Sequence, residues 1–176
     1  MQPINVAVIG SGFMGAAHVD GLRRVPGVNV MAISSIDRPR ADELARNFAT
    51  PHVYDDWRDI LRHPDITAVH NCTPNNLHYE VNRELLGAGK HVLSEKPLTL
   101  TSTESADLVR LAREKGLYTA INFNYRGYPI IQHAHGMVAR GELGDLQLVQ
   151  GHYLQDWLLH DTDYNWRLES GISGAS

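Results

Sequence analysis

Three short stretches carry residue types that could do chemistry. Gly10-Ser11-Gly12-Phe13-Met14-Gly15 is a G-x-G-x-x-G turn. Glycines at this spacing allow a tight turn, let a pyrophosphate approach the backbone, and let a helix pack close to a strand. A helix starting there would aim free N–H groups and a positive dipole end at phosphates. The second stretch, Cys72-Thr73-Pro74-Asn75, is followed by His78. The third, Glu95-Lys96-Pro97, places an acid, a base and a ring-locked residue where an apolar run ends. Taken alone, the third is also what a solvated turn looks like. Beside a nicotinamide ring, a desolvated lysine amine would suit a general base or a hydrogen-bond donor to the reacting oxygen.

The elements needed to position these stretches can be read along the chain. Asn5 to Ile9, Val28 to Ser34, Val53-Tyr54, Ile66 to Asn71, His91 to Ser94 and Tyr118 to Asn122 read as strands. Phe13 to Arg24, Asp37 to Phe48, Asp56 to Arg62, Asn76 to Leu86 and Thr101 to Lys115 read as helices between them. Asp37 can cap its helix, with Pro39 in the first turn. Thr101-Ser102-Thr103-Glu104 fits a capping box. Strands alternating with helices predict right-handed βαβ units and a doubly wound parallel sheet of Rossmann type. Ligands bind such sheets outside the carboxyl ends of the strands. All three stretches, with Asn122-Phe123-Asn124, fall at those ends, which moves Glu95-Lys96-Pro97 from turn to candidate site.

After residue 122 the texture changes. Tyr128 to Arg140 reads as a helix and Leu146 to Trp157 as a long strand. We therefore expect a nucleotide-binding domain over 1–122 and part of a second α/β domain over 123–176.

A dinucleotide fold of this kind usually ends its second strand in an acid that binds the adenosine ribose. That position falls near Ser35, which is not acidic. Ser34, Ser35, Arg38 and Arg40 could receive a 2′-phosphate instead, with serine hydroxyls donating and arginine binding as a fork. The cofactor expected is NADP or NAD, with a lean to NADP.

Composition excludes several classes. A net charge of −4 lacks the basic footprint of a nucleic-acid binder. A single cysteine, Cys72, rules out an intramolecular disulfide and a cysteine-based zinc site. Cys72 has no base beside it and reads as a small buried residue near a cofactor. His133 and His135 face apart on a helix, so no metal is expected. No apolar run approaches the roughly 20 residues that span a bilayer, and the N-terminus has no signal-peptide pattern, so a cytoplasmic protein is expected.

Together the motifs resemble the Gfo/Idh/MocA oxidoreductases. The matching residues are Gly10-x-Gly12-x-x-Gly15 with His18, Cys72-Thr73-Pro74-Asn75-x-x-His78, Glu95-Lys96-Pro97, Asn122-Phe123-Asn124-Tyr125-Arg126 with Pro129, Gly141-Glu142-Leu143-Gly144 and Trp166-Arg167. The resemblance implies hydride transfer between a nicotinamide cofactor and a carbinol carbon of a sugar, inositol or related polyol. It also implies a second domain with a largely antiparallel sheet, and a homo-oligomer. It makes Lys96 the catalytic lysine. Glu95, Pro97, Thr73, Pro74, Asn75, His78 and Asn124 would lie along the cofactor, and Trp166 and Arg167 would reach it from the second domain. The family's Asp-x-Gly-x-His motif, which completes the acid–base group, does not occur in the 176 residues. The chain therefore reads as an N-terminal half, and a non-catalytic nucleotide sensor is the alternative to an enzyme.

Overall fold

The structure is a computed structural model and describes residues 3–174. Six strands form one sheet: β1 (Ile4–Ile9), β2 (Val28–Ser34), β3 (His52–Tyr54), β4 (Ala68–Asn71), β5 (His91–Ser94) and β6 (Thr119–Ile121). Their spatial order is β3-β2-β1-β4-β5-β6, and every pairing is parallel. This is the strand order of a dinucleotide-binding sheet, reversing direction between β1 and β4.

Both faces of the sheet are covered, which is why β1 reads as a continuous apolar run. Val6 and Val8 pack with Val19 and Leu22 of α1 (Phe13–Arg23) and with Ala41 and Leu44 of α2 (Arg38–Phe48). Ala7 and Ile9 point the other way, into a core with Leu85 of α4 (His78–Gly87) and Leu108 of α5 (Ser102–Glu114). A one-turn α3 (Arg58–Leu61) adds Ile60 to that second core. Asp37 caps α2 by accepting from the Arg40 amide, and Thr101 and Glu104 form the expected capping box on α5.

The register has one consequence for function. Ile9 pairs with Ser34 and Asn71, Asn71 with Ser94, Ser94 with Ile121, and Ser34 with Tyr54. All six strands therefore end in one row. A shift in register between Val6 and Ala7 is what brings Ser34 level with Ile9.

The chain divides into two compact units, one reaching to Asn122 and rejoined from Ser170 onward, the other Phe123–Glu169. In the first unit, α7 (Ser170–Ser173) packs on the turn Asn75–Leu77. The second contains α6 (Pro129–Ala139) and short turns at Asn124–Gly127 and Trp166–Leu168. The strand expected from Leu146 to Trp157 does not form, and no described residue of this unit lies in a strand. Leu148, Val149, Tyr153 and Leu154 are all exposed. Neither face of the segment is buried, and without a partner edge its backbone groups have no ladder to join. The antiparallel sheet that the resemblance implied is accordingly not seen among the described residues.

The glycines of the first turn differ in what they permit. Gly10 has φ +102°, and a Cβ there would stand 2.6 Å from the Cys72 carbonyl oxygen. A Cβ on Gly15 would stand 1.8 Å from the Gly10 carbonyl oxygen. A Cβ on Gly12 would meet nothing within 4 Å, and its φ of −67° suits any residue. Gly15→Ala should cost more than about 3 kcal/mol in urea unfolding or prevent folding, because backbone must move. Gly12→Ala should stay within about 1 kcal/mol of the parent in the same measurement.

Candidate active site

The row of strand ends continues one residue further as hydrogen bonds. The amide of Gly10 donates to Ser34 O (2.7 Å), Ser35 to Tyr54 O (3.1 Å), Cys72 to Ile9 O (2.8 Å), Glu95 to Asn71 O (2.8 Å) and Asn122 to Ser94 O (2.9 Å). The first residue of each loop is thus still held by the ladder. The glycine turn, Cys72-Thr73-Pro74-Asn75 and Glu95-Lys96-Pro97 leave the sheet side by side.

Beneath them lies a buried polar chain. Asn71 Nδ2 donates to Asn82 Oδ1 (2.8 Å), Asn82 Nδ2 to Ser94 Oγ (3.0 Å), and Ser94 Oγ to Glu95 O (3.1 Å). Asn71 Oδ1 accepts from both the amide and the hydroxyl of Thr73 (3.2 and 2.7 Å). Asn71, Asn82 and Ser94 are at most 1% exposed, yet their side-chain groups have partners. The chain pins the loop after β4 to the loop after β5. His78 does the same from α4, with Nε2 2.8 Å from Thr73 O and Nδ1 2.6 Å from Pro97 O. The Lys96–Pro97 peptide bond is cis.

Glu95 is the buried charge of the site. Its Oε1 accepts from Asn122 Nδ2 (2.6 Å) and lies 2.9 Å from His18 Nε2, and its Oε2 accepts from the Lys96 amide (3.2 Å). Burial would raise its pKa, but the hydrogen bonds from His18, Asn122 and the Lys96 amide outweigh that and hold it below the usual carboxylate value. Behind His18, His70 Nδ1 stands 2.8 Å from His18 Nδ1. Burial, then the neighbouring His18, push His70 down to about 4. Burial, then the Glu95 charge, push the Cys72 thiol far up, so it stays protonated and unreactive at neutral pH. Lys96 is exposed, and its ammonium makes no hydrogen bond or ion pair among the described residues.

The expected site residues divide accordingly. Gly10, Gly12, Phe13, Met14, Gly15, Cys72, Thr73, Pro74, Asn75, Glu95, Lys96 and Pro97 come together at one edge of the sheet. Two expectations need correction. His78, read as lining a cofactor, is wholly buried and faces two backbone carbonyls, so it holds loops. Ser34 is 1% exposed, so its hydroxyl is not open to a 2′-phosphate. Ser35 accepts from Ser11 Oγ (2.8 Å) and from the Asp37 amide (3.2 Å). Arg38 is held by Asp42 (2.8 Å) and Asp55 (3.2 Å). Asn124, Trp166 and Arg167 belong to the second unit, where the Arg167 guanidinium lies over the Trp166 ring at 4.4 Å. His70, Asn71 and Asn82 carried no motif and went unread. An asparagine four residues after His78 on a buried helix face was the signal available for Asn82.

Residues 4–123 match the oxidoreductase family with an NAD-binding Rossmann fold, Gfo/Idh/MocA. The chain belongs to this family. Levoglucosan dehydrogenase of Pseudarthrobacter phenanthrenivorans is 35% identical over 99% of the chain and 47% of its own length. The scyllo-inositol 2-dehydrogenase (NADP(+)) IolW of Bacillus subtilis is 33% identical over 98% of the chain and 47% of its own length. A solved levoglucosan dehydrogenase in complex with NADH and L-sorbose superposes with a TM-score of 0.91 at 34% identity, over 98% of this chain and 48% of that one. The family member described here thus spans about half the length of its curated relatives. No helix among its described residues is long and apolar enough to cross a membrane, and no group of three or more His, Cys, Asp or Glu side chains among them could hold a metal ion.

Two outcomes follow from this geometry. Asn82→Ala removes the partner of both Asn71 and Ser94 and should cost roughly 2–4 kcal/mol in urea unfolding, since each buried orphan costs about 1–3 kcal/mol. Acid should also weaken the fold. Unfolded His70 takes a proton near pH 6.5, but the native ring resists until about 4. Stability is therefore complete above pH 6.5 and falls as pH drops toward 4, by on the order of 2–3 kcal/mol. The lowered Glu95 acts in the same direction, its contribution being lost as pH falls through its native value. Unfolding midpoints measured across pH 4–7.5 check this, and a flat profile would contradict it.

Proposed function

We propose that this chain binds a nicotinamide dinucleotide for hydride transfer to or from a carbinol or carbonyl carbon of a sugar, inositol or related polyol, with Lys96 as the catalytic residue. The observation that carries this is the single row of strand ends, which lines up the glycine turn, the loop of Cys72 and the loop of Lys96 along one edge of the sheet. The residues fit such a cofactor. The start of α1 has no side-chain cap and no acid in its first turn, so its amides are open to an anion. The space in front of Gly12 is clear of protein.

Bound there, the cofactor would supply the hydride acceptor or donor. The chain's own contribution is to hold the phosphates at Gly12 and the α1 amides, and to present Lys96 from a loop that cannot drift. Glu95 and the Asn71–Asn82–Ser94 chain keep that loop in register. The Lys96 ammonium, unpaired by protein, is available to donate to, or take a proton from, a substrate oxygen. Levoglucosan and scyllo-inositol, named for two relatives, set the polyol class we assign to the substrate.

We favour NAD over the NADP that the sequence suggests. The Arg38 charge is already met by two carboxylates, and the Ser34 hydroxyl is buried. Titration of the chain with each dinucleotide should show tighter binding of NAD. Asp55→Asn should then improve NADP binding by about two- to fivefold, the worth of an exposed ion pair.

Gly12→Val should weaken dinucleotide binding at least about tenfold without unfolding the chain. Lys96→Ala should leave binding within about 1–2 kcal/mol, because the phosphates are held elsewhere. In a protein of the relatives' full length it should abolish polyol oxidation. Absence of binding to either dinucleotide would overturn the assignment. Full turnover after Lys96→Ala would remove the lysine from it, and binding without any turnover would mark a sensor.

A further inference from the structure

Of the residues His70, His18 and Glu95, which are linked in that order, only His70 lies outside the motifs. His18 lies on α1, one turn after Gly15, and is 9% exposed. His70 lies on β4, beside Asn71. Their rings meet edge to face at 86°, with centroids 5.0 Å apart.

The distances constrain where protons sit. Glu95 is held as a carboxylate, so it only accepts. His18 Nε2, 2.9 Å away, must then carry a hydrogen and donate to Oε1. The 3.2 Å approach of Asn122 Nδ2 to that same nitrogen is donor against donor, and the Asn122 amide is satisfied by Glu95 at 2.6 Å. Between His18 Nδ1 and His70 Nδ1, 2.8 Å apart, there is room for one hydrogen and no less than one. Two lone pairs or two N–H groups at that distance would repel. Whichever ring holds that hydrogen, His18 Nε2 still donates to Glu95. The opposite oxygen of Glu95 accepts the Lys96 amide.

We propose that His70 is a positioning residue for the reaction: by pairing with His18 Nδ1 it keeps His18 Nε2–H on Glu95, and so keeps the Glu95 carboxylate on the backbone of Lys96. The chain His70–His18–Glu95–Lys96 joins the helix that opens at the glycine turn to the loop of the catalytic lysine. It rests on the assignment of Lys96 as that lysine. Among the described residues His70 makes no hydrogen bond to Lys96 or to the glycine turn, so its effect has to pass through His18.

The test compares two replacements of His70 in the chain. His70→Asn places an amide where the ring Nδ1 stood and keeps a hydrogen-bonding partner for His18. His70→Leu keeps apolar bulk and removes the partner. The readout is hydrogen exchange of the Lys96 amide at neutral pH, with global stability from urea unfolding measured alongside. His70→Leu should speed exchange of that amide by on the order of tenfold more than its change in global stability accounts for, and His70→Asn should restore most of the protection. NAD affinity should follow the same order. Unchanged Lys96 protection in His70→Leu overturns the proposal, as does failure of His70→Asn to rescue it. If either variant does not fold, His18→Phe, which cuts the chain at its next link, takes the same exchange measurement with the same expected loss. Exchange is read without nucleotide, so failure of the parent to bind NAD would strike the functional assignment and leave the His70 result standing.

Discussion

The site depends on the register of a parallel sheet. Parallel hydrogen bonds slant evenly along each strand, so a strand that is shifted by one residue carries its following loop with it. Here five amides just beyond the strand ends still donate to the last carbonyls of their neighbours. The loops of Gly10, Ser35, Cys72, Glu95 and Asn122 are therefore positioned by backbone, before any of their side chains acts. A bulge in β2 illustrates the demand. Without the extra residue opposite the Val6–Ala7 step, Ser34 would not stand level with Ile9, and Ser35 would leave Ser11.

Backbone register sets where loops begin, and the buried polar residues set where they go. Asn71, Asn82 and Ser94 occupy sites that leucine or valine could fill at lower desolvation cost. An apolar core there would pack, but it would not distinguish one path of the loop after β4 from another. Hydrogen bonds do, because each donor in this chain has one acceptor within reach and leaving it unmade is costly in a low-dielectric interior. His78 adds two more fixed points, the carbonyls of Thr73 and Pro97. Polar burial is the means by which two separate loops keep one geometry.

Much of this was legible in the sequence because strands, caps and glycine turns are local signals. The apolar run of β1, the Asp37 cap and the Thr101–Glu104 box each depend on residues within a few positions of one another. The segment Leu146 to Trp157 shows the limit. Its residues read as a strand, but a strand is completed by a partner, and no local pattern reports whether one is there. His78 was misread for a related reason. Its place in a motif marks it as important, but whether it faces a ligand or two carbonyls depends on the packing of α4. His70, Asn71 and Asn82 were silent because each gains its meaning from residues 11 to 52 positions away.

Gly15 and His18 show how closely such distant requirements are linked. The four buried residues of α1 are Gly15, His18, Val19 and Leu22, one face at helical spacing. Gly15 leaves no room for a Cβ against the Gly10 carbonyl, so the helix sits as low on the sheet as backbone contact allows. Three residues on, His18 reaches Glu95 at 2.9 Å and His70 at 2.8 Å. Lifting the helix by one carbon–carbon bond length, roughly 1.5 Å, would take both contacts beyond hydrogen-bond range. The third glycine of the turn is usually explained by close packing alone. In this chain the same close approach also brings the histidine to the carboxylate that holds the Lys96 loop, so the glycine-turn end and the Lys96 end of the candidate site are set by one helix height.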